Sequence, residues 1–159
     1  MAATATQQII HNGARNLVLK YTIGGTADAD AAADVLVDAS VLDAALVGNR
    51  LLRLEKAVWS LTGFSCKLLW DDEDSNVDLI ELTQGGGELD FTDLGGLVNN
   101  AANATGDVLF TTTGYDTAGD GGHIILFFKK KGLNTESPNV YPAAASLALT
   151  GILPTIAIA

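Results

Sequence analysis

The sequence predicts an all-β protein, an antiparallel β-sandwich of jelly-roll type with extended terminal arms. Three observations carry this expectation. Apolar and polar residues alternate with period two in several short runs, Gly- and Asn-rich turns separate those runs at close spacing, and no stretch repeats apolar residues at the 3.6 period of an amphipathic helix.

The runs can be taken in order. In "ARNLVLKYTIGG", Leu17, Leu19, Tyr21 and Ile23 alternate with Asn16, Val18, Lys20 and Thr22, so one face of a strand is buried, and Gly24-Gly25 ends it. The Asp- and Ala-rich stretch that follows reads as a loop, a short strand at Val35-Leu36-Val37 and a turn. "RLLRLEKAVWSLTGFSCKLLWDD" reads as a hairpin turning at Thr62-Gly63. Phe64, Cys66, Leu68 and Trp70 share one face of its second strand. In its first strand Leu52 and Leu54 have one parity and Ala57, Trp59 and Leu61 the other, a slip near Lys56 that a β-bulge produces. "VDLIEL" is a further short strand, "GGGELDFTDLGGLVNNAANATG" a long connection, and the last two strands fall at about 108–113 and 123–130. Residues 1–131 are therefore expected to form the sandwich. Residues 132–159, with two prolines near their start and an apolar remainder, form a C-terminal arm or closing strand.

Composition narrows the function classes. Hydrophobic residues make up 48% of 159 residues, enough for a packed core. The net charge of −10 argues against nucleic acid as a partner, because phosphate contacts require a surplus of Lys and Arg, and only Lys129-Lys130-Lys131 forms a basic run. The segment "MAATATQQIIHNG" has neither a basic n-region nor an apolar h-region, so no signal peptide is expected. No apolar stretch reaches the ~18 residues of a membrane span, since Gly151 and Pro154 interrupt the longest one, and no membrane partner is expected. Cys66 is the only cysteine, which excludes an intrachain disulfide.

Two loops and a few side chains are candidates for chemistry. "GYDTAGDGGH", from Gly114 to Gly122, leads into a strand with no Lys close behind the glycines, unlike a phosphate loop. It reads as a hairpin turn in which Gly119, Gly121 and Gly122 take positive φ and Asp116 and Asp120 bond the local backbone. In the loop from Asp71 to Asp78, the alternation of Asp72, Asp74, Asn76 and Asp78 is that of a calcium loop. Val77 then replaces the Gly, and Thr83 the bidentate Glu, that such a loop requires. Solvated carboxylates that discourage edge pairing are the expected role. His11 and His123 belong to no motif with Cys66, and Cys66, Trp59 and Trp70 are expected in the core. The sequence thus names no catalytic, cofactor or metal residue and predicts a protein that is not an enzyme. A glycan- or host-surface-binding module using those two loops is the alternative of another class.

One resemblance is carried by the order of pieces from Val58 to Lys131, about half of the chain. A strand with Trp59-Ser60 and a strand ending Leu69-Trp70-Asp71 are followed by Phe-x-Asp-x-Gly-Gly-Leu-x-Asn-Asn from Phe91 to Asn100. Thr-Gly-Asp-x-Leu-Phe-Thr-Thr comes next, from Thr105 to Thr112, then Gly119-Asp120 and an apolar strand closing on lysines. This string resembles a family of small structural proteins of tailed bacteriophages. The resemblance implies a virion part on the capsid surface, a decoration or cement protein that contacts the major capsid protein or other virion proteins. It also implies a homo-oligomer, dimer or trimer. A head–tail connector, tail or fibre component is the alternative within that class. No catalytic residues are implied.

Overall fold

The computed structural model describes residues 3–24, 29–42 and 51–131. Ten strands form two antiparallel sheets: β1 (Thr4–Asn12), β2 (Asn16–Gly24), β3 (Asp34–Val37), β4 (Leu51–Thr62), β5 (Ser65–Asp72), β6 (Val77–Leu82), β7 (Gly85–Asp90), β8 (Leu97–Val98), β9 (Ala104–Thr113) and β10 (Gly121–Lys131). One sheet runs β1-β2-β10-β4-β7, with β8 also on β4, and the other runs β3-β9-β5-β6. The pairs nest: β2 with β10, β3 with β9, β4 with β7 and β8, β5 with β6. A long ribbon of paired strands folded over on itself gives that order, which is the jelly roll the alternation predicts. Among the described residues the only helical pieces are single 3-10 turns at Ala39–Val41 and Thr92–Leu94.

The core lies between the sheets and is built by the expected parity. Leu17, Leu19, Tyr21 and Ile23 of β2, Ile124, Leu126 and Phe128 of β10, and Cys66, Leu68 and Trp70 of β5 are all buried. Each such side chain contributes about 1.5–3 kcal/mol when taken out of water. The parity slip in β4 is a bulge: Phe127 faces Lys56 and Phe128 faces Leu54, leaving Glu55 as the extra residue. Leu52 and Leu54 before it and Ala57, Trp59 and Leu61 after it then all point inward.

Two connections differ from expectation. β4 and β5 are not a hairpin, because β4 pairs with β10, β7 and β8 whereas β5 pairs with β6 and β9. Nor do β9 and β10 form one, since they belong to different sheets. Both connections are corners, and the reason lies in the residues at the bend. Phe64 and Tyr115 are 1% exposed and stack edge to face with ring centroids 5.0 Å apart, so each bend points an aromatic into the core rather than a polar tip into water. Each aromatic follows a left-handed glycine, Gly63 at φ 90° and Gly114 at φ 86°. At Gly63 the positive φ strains any other residue, and a Cβ would sit 1.7 Å from an Asp120 carboxylate oxygen and push that side chain aside. Of the three turn glycines expected at positive φ, Gly119 is so at 115°. Gly121 and Gly122 instead open β10 as extended residues facing Thr62 and Leu61.

The stretch read as a long connection after β6 holds β7 and β8. The run Gly85-Gly86-Gly87 hides β7 because it has no apolar alternation to display. The strand forms through what faces it, for the Trp59 ring covers Gly87, where a Cβ would lie 2.4 Å from ring atom Cζ2. The indole N–H donates to the Thr83 carbonyl at 2.9 Å. Residues 132–159, expected as an arm or closing strand, lie outside the described residues.

Candidate functional site

β1 stands apart from the rest of the sandwich. It pairs with β2 through Ala5↔Ile23, Gln7↔Tyr21 and Ile9↔Leu19, with a bulge between Ile9 and His11. Opposed residues of an antiparallel pair share a face, so Ala5, Gln7 and Ile9 continue the core-facing side of β2. Yet eight of the nine residues of β1 are exposed, Ile9 at 52% and Ile10 at 53%. The sheet outreaches its four-stranded partner, and β1 hangs past its margin. Gln7 Nε2 donates to the Tyr21 hydroxyl at 2.6 Å, and Lys130 Nζ donates to Asn12 Oδ1. These bonds pin the middle and the C-terminal end of the strand to the body. On its other side β1 has no paired strand among the described residues. A free edge is a row of backbone N–H and C=O groups competent to take one more strand.

The remaining sheet margins are built differently. β7 carries Glu88 and Asp90, β6 carries Asp78 and Glu81, and β3 carries Asp34. β8 is uncharged but only two residues long. β1 is long and has no Asp, Glu, Lys or Arg.

The loop from Asp71 to Asp78 holds itself together with its carboxylates. Asp72 Oδ1 accepts from the N–H groups of Asp74 and Ser75 at 2.9 and 3.1 Å, and Oδ2 from that of Asn103 at 2.7 Å. Those three donors, Asn103 foremost, keep the Asp72 carboxyl below its usual range. Asp71 accepts from the Thr105 hydroxyl at 2.6 Å, and Asp78 meets Lys67 at 3.1 Å. Burial pushes the nearby Asp107 carboxyl up against the Ala39 N–H it accepts, with Asp38 and Asp71 adding to the rise. Among the described residues no three His, Cys, Asp or Glu side chains converge as metal ligands.

At the other loop Asp120 Oδ2 accepts from the N–H groups of Asp116 and Thr117 at 3.1 and 2.9 Å, and Asp116 bonds the Thr117 hydroxyl at 2.9 Å. This is the self-bonded turn that its Asp and Gly residues predict. His11 and His123 are both exposed and on different strands. Trp59, Trp70 and Cys66 are buried as expected, and burial pushes the Cys66 thiol up to about 12. Of the lysine run, Lys129 meets Glu55 at 2.9 Å and Lys130 reaches Asn12.

One organising residue is not visible in the sequence pattern. Asp30 accepts from the Thr112 hydroxyl at 3.0 Å and from the N–H groups of Gly114 and Tyr115 at 3.2 and 2.8 Å, tying the β2–β3 connection to the corner before β10. Desolvation raises its carboxyl, but those donors together outweigh that and hold it below its ordinary value. Its partners lie more than 80 positions away, so no local spacing announces them. In comparisons with protein-family models, curated proteins and solved structures, nothing matches this chain.

Proposed function

We propose that this chain is a non-enzymatic virion structural protein, a decoration or cement protein that binds the capsid surface and stabilises the head lattice. The observation that carries the reading is the long, open, uncharged edge of β1 on a sandwich whose other margins carry carboxylates or are two residues long. Such an edge is suited to adhesion by strand addition, and many identical weak contacts across a lattice sum to firm binding. The motif order from Val58 to Lys131 gives the setting, that of phage structural proteins. The partners are then the major capsid protein or other virion proteins, and the protein acts as a homo-oligomer.

Mixing the purified, labelled chain with heads that lack it tests the reading. Labelling over the whole shell, with heads that withstand more heat or lower salt, is the expected result. Label at a single vertex would make the protein a connector or tail part instead, and no binding to heads would overturn the reading. Binding to a glycan array in place of heads would favour the module of the other class.

A further inference from the structure

We propose that the free edge of β1 is the docking site for the apolar C-terminal segment of a second copy of this chain, which adds a strand there. This deepens the reading above, on which it rests for treating a terminal segment as the adhesive, and it names the partner of that edge.

Charge supplies the first reason. The protein has nineteen acidic and nine basic residues, yet β1 has none of either, and residues 143–159 have none. Pairing those two segments buries no ion, whereas pairing the same segment on β3, β6 or β7 sets it beside carboxylates that lose water. Side-chain pattern supplies the second. Ile9 and Ile10 stand half exposed at the bulge of β1, and Thr155-Ile156-Ala157-Ile158 alternates smaller residues with isoleucine as an added strand does. Length also fits, since β1 offers nine positions and residues 143–159 supply seventeen.

Reach and the two prolines of the spacer together bear on the choice between the chain's own edge and a neighbour's. The segment departs from Lys131 at the end of β10, and β10 is separated from the β1 edge by β2 alone. Its own edge therefore lies about three strand spacings away, roughly 14 Å. The eleven residues 132–142 span up to about 36 Å and hold Pro138 and Pro142, which favour an extended course over a tight return. That is about the breadth of a sandwich of this size, whose radius of gyration is roughly 14 Å. A spacer that long reaches either edge, and the extended course that Pro138 and Pro142 favour overshoots the near one, which points to an adjacent molecule. Each copy then has one donor segment and one acceptor edge, which suits either reciprocal exchange in a dimer or a head-to-tail ring.

The test uses two full-length chains, one Gln8→Cys and the other Ile156→Cys, carrying tags of different size and co-expressed. A flexible bis-maleimide tolerates the open choice of register, and buried Cys66 does not compete. A product joining the two differently tagged chains is expected. It should fall at least about tenfold when Gln7→Lys and Ile9→Lys are added to the Gln8→Cys chain, because lysines guard an edge. The double variant Gln8→Cys/Ile156→Cys in one chain, expressed alone, completes the test. Linkage confined within each chain would show the segment on its own edge and overturn the proposal, as would no linkage in either arrangement. Head binding is scored separately. Coated heads without cross-chain product would sink this proposal and leave the virion reading standing, and cross-linked oligomers that ignore heads would do the reverse.

Discussion

The two margins of the larger sheet, β1 and β7, solve the problem of an open edge in opposite ways. β7 is short, rich in glycine and guarded: Glu88 and Asp90 face Lys56 across the pair at 2.7 and 3.9 Å, and the Trp59 ring holds the strand down from the core side. β1 is half as long again, uncharged, and overhangs the core. Both margins are largely exposed and both are paired along their backbone, but β7 is also held by the Trp59 ring and the Lys56 ion pairs of the neighbouring strand. On the proposal above, adhesion falls to β1 and not to the ion-paired margin of the same sheet.

Removing the β7 anchor should have the largest effect. Trp59→Ala leaves a void against Gly87 and an unmet Thr83 carbonyl, and it should lower unfolding free energy by about 3–5 kcal/mol in a denaturant titration. Next comes the anchor on the β1 side, where the Ala3 N–H donates to the Ala29 carbonyl beside Asp30. Asp30→Ala strips three donors of their acceptor and should lower stability by about 1–2 kcal/mol, after discounting for solvent at this exposed carboxylate.

Acid should act on the same bonds. Asp30 and Asp72 both have folded pKa values below their ordinary ones. Their contribution is complete above the unfolded value of about 3.9 and vanishes as pH falls through the folded values. Melting temperature should therefore drop as pH falls below about 4, and less steeply in Asp30→Ala.

Two gentler changes sharpen the contrast between margins. Glu88→Thr with Asp90→Thr makes β7 resemble β1 and should raise self-association in light scattering without unfolding the chain. Ile9→Lys guards β1 and, at a half-exposed position, should shift stability by less than about 0.5 kcal/mol while reducing association. A large loss of stability from Ile9→Lys would mean that β1 belongs to the core, and the distinction between the margins would fail.

What could be read from the sequence was what alternation writes. β2, β5, the second half of β4, β10 and the bulge at Glu55 all follow from parity, because a strand with one buried face must alternate. β7 could not be read that way, since three glycines display no parity and its register is set by Trp59, 28 positions earlier. The corners were misread as hairpins because Thr62-Gly63 has the chemistry of a tight turn. The signal that separates the two is the large aromatic right after the glycine, Phe64 in one corner and Tyr115 in the other, which a solvent-facing tip would not carry. The open edge was harder still: nothing in "TATQQIIHN" says that its inward side chains meet water, because the width of the opposing sheet decides that.

The central position of β10 has a consequence for synthesis. It inserts between β2 and β4, so the middle of the larger sheet stays vacant until nearly all of the first 131 residues have left the ribosome. The pairs β1–β2, β4–β7, β5–β6 and β5–β9 can form earlier, but the larger sheet joins up only when β10 arrives, at the slow rates of architectures that join distant parts of a polypeptide. During that interval β2 and β4 each present an unpaired flank on which another strand could pair.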